Sequence, residues 1–362
     1  MKVVLLSFNW GEYCVRLASA LAHDEDVLLL LAKEQAEPHL AKLNPSVRFQ
    51  SFDKPRFRQL WQQMRMIATI VRAIKRFDPD LIHLQMGHMW FNLALPLLRQ
   101  YPLVLTIHDP RHHIGDRESQ KQWQPVIDFG YRRASHVITH GVQLKQVVQQ
   151  TLGIPGDRIH VIPHIVLGDD TAKTEVQEHE HCILFFGRIW RYKGLEYLIR
   201  AEPLITAQVP QARIVIAGTG DNFVPYRRMM VHPEHFCIYN EYVPNDERAV
   251  LFRQASVVVL PYIEATQSGV IPLAYTFAKP VVATAVGGIP EIVDHGHTGY
   301  LVPPRDEKAL ADAVVRLLQD PDLRRQFGAN GKRKIDTTCA PEAIAQHTLA
   351  VYQHVLGRSM GN

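Results

Sequence analysis

The chain has 362 residues, more than a single hydrophobic core of ~250–300 residues holds comfortably, so two domains are expected. Apolar residues make up 46% and charged residues 21%, which excludes a disordered, collagen-like or coiled-coil chain. The net charge of +4 announces no nucleic acid, yet it is uneven: residues 54–76 hold seven Lys/Arg and no acid, leaving −3 for the rest.

Residues 2–8 read as a first strand and not as a leader, because no small-residue cleavage pattern follows the apolar run. Strands are predicted next at 27–32, 80–85, 103–107, 136–139 and 159–162, separated by segments of helical period, the pattern of a parallel sheet. The polar stretch "LGDDTAKTEVQEHEH" at 167–181 reads as a linker, after which strands restart at 182–186, 213–217, 236–239, 256–260, 280–284 and 299–302. Amphipathic helices at 307–319, 321–335 and 341–357 follow. The fold class is α/β, with two doubly wound domains at 1–168 and 169–340. A last helical segment, 341–362, could join either half on periodicity alone. The longest apolar runs, such as "VLLLLA" at 27–32, are strand-length and far below the ~18 residues of a membrane span. Cys14, Cys182, Cys237 and Cys339 show no C-x-x-C spacing and are expected to be reduced, buried thiols, which suits a cytoplasmic location.

In doubly wound sheets ligands bind beyond the carboxyl ends of the strands, so the loops there carry the argument. "FFGRIWRYKG" at 185–194 puts Gly187, Arg188 and Lys193 between a strand and a helix start, where two cations and helix amides suit a diphosphate. The alternative is a solvated basic pair. "VIAGTGDN" at 215–222 offers Gly218 and Gly220, where a base or phosphate could approach the main chain. "LPYIEATQSGVIPL" at 260–273 places Glu264 on a strand-end loop, with Gln267, Ser268, Gly269 and Val270 at a helix start, and the turn Gly287-Gly288 follows. In the first half, Gly11 and Glu12 follow the first strand, and His108 and Asp109 directly follow the strand at 103–107. A lone His there is more often structural. His112 and His113 lie further along the same loop. Among 19 histidines the tightest cluster, "EVQEHEHC" at 175–182, lacks zinc spacing, and His295 and His297 flank a surface turn, so no metal site is expected.

Residues 58–76 set Leu60, Trp61, Met64, Ile67, Ile70, Val71 and Ile74 on helical spacing, with Arg58, Arg65, Arg72, Lys75 and Arg76 on the flanks. Such a helix can lie on an anionic bilayer; the plainer reading is a sheet-covering helix with a solvated basic edge. Nucleic acid fits poorly, since no aromatic-interleaved basic stripe accompanies it.

Across 183–304 the segments "GRIWRYKG", "IAGTGD", "VPNDERAVLFRQASVVVLPY" and "KPVVATAVGGIPEIVDHGHTGYLVPPRD" resemble, in order and spacing, the retaining glycosyltransferases of family 4. The resemblance implies a GT-B fold, two Rossmann-like domains facing across a cleft, acceptor in the first half and nucleotide-sugar donor in the second. It implies that Arg188 and Lys193 neutralise the donor diphosphate, so that no metal or other cofactor is needed, and that Gly218 and Val243 line the base. Glu264 would lie by the donor sugar, the amides of 267–270 would cap sugar and phosphate, and His108 would stand at the reaction centre. One departure is plain: the family's second Glu, expected at the ribose, is here Pro272, or Leu273 in the neighbouring register. Glu291 is a weak substitute.

The expected activity is transfer of a hexose from a nucleoside-diphosphate sugar, UDP preferred over GDP, to a hydroxyl of a glycan or lipid-linked acceptor. The inner face of a membrane is an expected location. A non-catalytic sugar-nucleotide-binding protein and a nucleotide-sugar epimerase are the alternatives. An oxidoreductase is disfavoured because "SFNWGEY" stands where G-x-G-x-x-G would be needed.

Overall fold

The computed structural model describes residues 1–111, 123–168, 176–220 and 222–357. Among these residues the chain forms two compact units: the first runs to Ile165 and resumes at Thr338, and the second spans Val166–Thr337.

The first unit is built on seven strands: β1 (Lys2–Ser7), β2 (Asp26–Ala32), β3 (Arg48–Phe52), β4 (Leu81–Gln85), β5 (Leu103–Ile107), β6 (His136–Thr139) and β7 (Ile159–Val161). They pair in the order β3-β2-β1-β4-β5-β6-β7, every pair parallel. The inner strands are nearly continuous aliphatic runs because both faces of a parallel sheet are covered. On one face Ile67, Ile70 and Ile74 of helix Leu60–Phe77 share a core with Val4, Leu6, Leu30 and Ile82. Strand β3 is absent from the sequence reading. It is an edge strand, and of its five residues only Phe52 is buried, so "RFQSF" carries no apolar run to detect.

The helix Pro341–Val355 belongs to this first unit, where it packs on helix Gly11–Leu21. Its fully buried Tyr352 has its hydroxyl 2.6 Å from Nδ1 of His83, inside β4. A single phenol therefore pins the last helix to the middle of the sheet.

The second unit has six strands: β8 (Cys182–Phe186), β9 (Arg213–Ala217), β10 (Phe236–Tyr239), β11 (Val257–Leu260), β12 (Val281–Thr284) and β13 (Gly299–Val302). They run parallel in the order β10-β9-β8-β11-β12-β13. Strand order reverses between β1 and β4 in one sheet and between β8 and β11 in the other, and at such points loops part to leave room for a ligand. The end of the supposed linker is anchored: the Glu178 carboxylate meets Lys279 at 2.5 Å and Arg324 at 3.6 Å, and His179 donates its amide to the Gln254 carbonyl. Three of the four cysteines are buried as expected; Cys237 is exposed, because β10 is an edge strand that turns alternate side chains to solvent.

Candidate functional site

At the reversal point of the second sheet, the loops after β8 and β11 are stitched together. Gly194 adopts φ +64°, and a Cβ there would lie 1.9 Å from the Pro261 carbonyl oxygen, so the position tolerates only glycine. The Ile263 amide donates to the Tyr192 carbonyl at 2.8 Å. Lys193 is 9% exposed, with its ammonium 3.7 Å from the centre of the Tyr262 ring, a cation–π contact in a desolvated place. It is therefore not a solvated base. Arg188 is exposed; its guanidinium lies over Trp190 at 4.2 Å and donates to the Tyr192 hydroxyl at 2.9 Å. Burial pushes the Tyr262 hydroxyl upward, so it stays neutral against the lysine. Two cations are thus held by aromatic rings, beside the loop that carries half-buried Glu264.

Around this core the other predicted donor residues divide. Gly187 and Gly218 face each other: a Cβ at Gly218 would sit 2.0 Å from the Gly187 carbonyl, and one at Gly220 would sit 2.1 Å from that of Ile189. The Ile189 amide donates to Thr219 at 2.7 Å, which extends the pairing beyond β8 and β9. Loop-to-loop packing by itself requires glycine at both positions. Ser268 is buried and its hydroxyl accepts the Val270 amide at 3.2 Å, so that amide is already engaged. Gln267, Gly269 and Val243 are half-buried. The Gly288 amide donates to the Thr266 carbonyl at 3.0 Å and so braces the loop of Glu264. Pro272 and Leu273 are buried in the helix Val270–Thr276, and Glu291 is exposed.

In the first unit three adjacent strands each deliver a histidine from the carboxyl end: His108 after β5, His140 after β6 and His164 beyond β7. Parallel register sets Ile107 beside Thr139 and Thr139 beside Val161, which brings the rings together, with centroids 4.7 to 5.9 Å apart. Trp10 covers them. Its backbone is left-handed at φ 62°, a rare state for a bulky residue, and its indole stacks on His108 at 4.0 Å. Tyr13 closes another side.

Each ring has its tautomer fixed by an acceptor. His140 Nδ1–H donates to the Ile162 carbonyl at 2.9 Å and His164 Nδ1–H to that of Ile165 at 2.7 Å. His108 Nε2–H donates to Gln85 Oε1 at 3.0 Å, while the Gln85 amide nitrogen faces His83 Nε2 at 3.3 Å. Burial first, and the neighbouring imidazoles second, hold His108 well below its ordinary value and His140 down to about 3; burial takes His164 to about 4. All three rings are neutral at physiological pH.

A model described as glycosyltransferase family 4 matches residues 11–166, and one described as glycosyl transferases group 1 matches 180–320. An uncharacterised glycosyltransferase of Methanocaldococcus jannaschii is 32% identical over 303 residues, 78% of this chain and 77% of that protein. The chain belongs to glycosyltransferase family 4. The D-inositol 3-phosphate glycosyltransferase of Pseudarthrobacter chlorophenolicus is 34% identical over 81% of this chain and 76% of its own. Among solved structures, sucrose-phosphate synthase of Thermosynechococcus elongatus superposes with a TM-score of 0.76 at 22% identity, covering 99% of this chain and 100% of its own. Anabaena HepE in complex with UDP gives 0.74 at 18% identity, over 98% of this chain and 100% of its own. The fold of this family-4 glycosyltransferase is GT-B.

The remaining sequence expectations fare unevenly. The bare face of Gly11 is taken by the Gln35 carbonyl, where a Cβ would lie at 1.9 Å, so packing by itself requires a glycine here. Glu12 pairs with Arg16 at 3.3 Å. Asp109 is half-buried and its carbonyl receives the Tyr131 hydroxyl. His108 lies fully covered beneath Trp10. His112 and His113 fall outside the described residues. In the basic helix, Leu60, Trp61 and Met64 are not part of the buried stripe: they are 57%, 84% and 58% exposed, and Gln63 and Met66 turn inward instead. Sequence reading missed His140 and His164. The signal was the recurrence of His just past three apolar strands, "TIHD", "VITHG" and "VIPHI".

Proposed function

We propose that this glycosyltransferase transfers a hexose, with retention, from a UDP-sugar to a hydroxyl of a glycan or lipid-linked acceptor. The carrying observation is the pair of cations, Arg188 and Lys193, held by aromatic rings at the reversal point of the second sheet beside Glu264. The bond that breaks joins the anomeric carbon to a diphosphate oxygen. Charge developing on that oxygen is met by two preorganised cations, which takes the place of a metal at the diphosphate. Glu264 faces the sugar hydroxyls, and Glu12 and Asp109 line the acceptor side. HepE, whose fold the chain shares, binds UDP, which supports UDP over GDP.

The exposed stripe of Trp61, Met64, Arg65, Arg72, Lys75 and Arg76 supports an anionic membrane surface as partner. No helix among the described residues is long and apolar enough to cross a membrane. The stripe would therefore rest the protein on a lipid surface that also supplies a lipid-linked acceptor.

The experiment is a thermal-shift and turnover screen of UDP, GDP, ADP and their sugars with the wild type and Arg188→Ala. Stabilisation by UDP-sugars that is lost in the variant supports the proposal; no binding and no hydrolysis or transfer of any nucleotide sugar overturns it. A second reading, a sugar-nucleotide-binding protein without turnover, draws on buried Pro272 and Leu273, which leave no carboxylate where the family holds the ribose. Calorimetric binding without turnover across an acceptor panel would favour it. Conversion of the donor alone, without acceptor, would indicate an epimerase.

A further inference from the structure

We propose that His108, His140 and His164 form a binding site for one d-block divalent cation, Zn²⁺ being the best match, in a three-imidazole shell with water as fourth ligand. Among the described residues these are the three side chains that could together hold a metal: each offers one ring nitrogen, and the three nitrogens lie within 4.8 Å of one another. In a tetrahedral site with Zn–N of about 2.0–2.1 Å, ligand nitrogens stand about 3.4 Å apart, so side-chain rotations of about 1 Å complete the geometry.

The chemistry of the pocket leaves few other occupants. Each imidazole gives its proton to a carbonyl or amide oxygen on the far side, which leaves a bare lone pair on the other nitrogen. His108 Nδ1 and His140 Nε2 are buried without any hydrogen-bond partner. Buried acceptors with no donor are costly, and a cation or a donor relieves them. The outer bonds to Ile162, Ile165 and Gln85 are of the kind that orient metal-bound histidines and raise their basicity. Neutral imidazoles without a carboxylate in the shell suit Zn²⁺, Cu²⁺ or Ni²⁺ and not Mg²⁺ or Ca²⁺. Half-buried His140 marks the side from which ion and water enter. The ligands sit past the ends of three strands at wide sequence separation, which is why no spacing rule finds them. The inference does not depend on which donor or acceptor the enzyme uses.

The test uses untagged, chelator-treated full-length protein titrated with Zn²⁺ by calorimetry. One tight equivalent per chain is expected, weakened about 100-fold or more in His140→Gln and in His164→Gln, since loss of even an outer-shell partner costs 10–100-fold. His136→Gln, in the separate imidazole group with His160 and His354, should leave it unchanged. X-ray absorption on the zinc-loaded wild type should count three imidazoles and one oxygen, and decides the matter even if a variant fails to fold. Absence of a tight equivalent, its survival in both variants, its loss in His136→Gln, or fewer than three imidazoles at the metal overturns the proposal.

Discussion

The carboxyl ends of the two sheets carry opposite chemistry. In the second unit, the residues beyond β8 are cations held near the surface by aromatic rings, with Arg188 open to solvent and Lys193 over Tyr262. In the first, the residues beyond β5, β6 and β7 are neutral imidazoles, His108 and His164 buried, His140 half-buried, with Trp10 stacked on His108. A buried and an exposed cation side by side suit anions that come and go. Buried lone pairs suit coordination. The same parallel-sheet scaffold thus presents an electrostatic cradle at the end of one sheet and a set of neutral ligands at the end of the other, and the difference lies only in which side chain the chain places one to seven residues past each strand.

The sharpest way to break this contrast is Arg188→Ala, which removes the exposed cation. Transfer should fall about 10²–10³-fold in kcat, the loss typical for one preorganised charge or donor, while thermal unfolding without ligand stays unchanged. An activity loss accompanied by an equal loss of stability would make the residue structural.

Next in size is Gly194→Ala. The added Cβ meets the Pro261 carbonyl at a left-handed backbone position, so a cost of about 1–3 kcal/mol is expected. Hydrogen exchange should place the loosening in the loops after β8 and β11. Uniform destabilisation of both units would contradict the local stitching described above.

Acid should act on the other unit. Burial pushes His83 and His88 down to about 3, against an ordinary 6.5. The unfolded chain then binds protons before the folded one, so stability is full above about pH 6.5 and declines as pH falls toward 3. The slope approaches roughly 1.4 kcal/mol per pH unit for each histidine. Unfolding followed by peptide exchange between pH 7 and pH 4 should show the first unit opening first. His83→Gln should flatten its share of the slope.

The smallest effect is at the surface. Replacing Arg65, Arg72, Lys75 and Arg76 by Gln should lower binding to phosphatidylserine vesicles by about 1 kcal/mol per charge, with stability changed by less than about 0.5 kcal/mol. Unchanged vesicle binding would return helix Leu60–Phe77 to a plain sheet-covering role.

Much of this is legible in sequence because strand-end loops keep their chemistry in local order. "FFGRIWRYKG" announces Arg188 and Lys193, and the aliphatic runs announce twelve of the thirteen strands found among the described residues. What stays hidden depends on register. His140 lies 32 residues from His108 and 24 from His164, and only parallel pairing of β5, β6 and β7 makes them neighbours. Helical spacing likewise groups Trp61 and Met64 with Ile67, but at 100° per residue Trp61 falls about half a turn from Ile70, on the side of Arg65 and Arg72, and both Trp61 and Met64 remain exposed while Gln63 and Met66 turn inward. The packing need for Gly218 is hidden for a related reason: the group filling the space of its missing Cβ is another loop of the same protein.

Tyr352 has a consequence in time. The phenol that closes the polar chain through His83 emerges from the ribosome after the whole second unit has been made. The second unit can therefore complete its core first, while the first sheet, though synthesised earlier, waits with its centre open. A chain truncated after residue 338 should hold a finished second unit and an unfinished first one, so the order of maturation runs opposite to the order of translation.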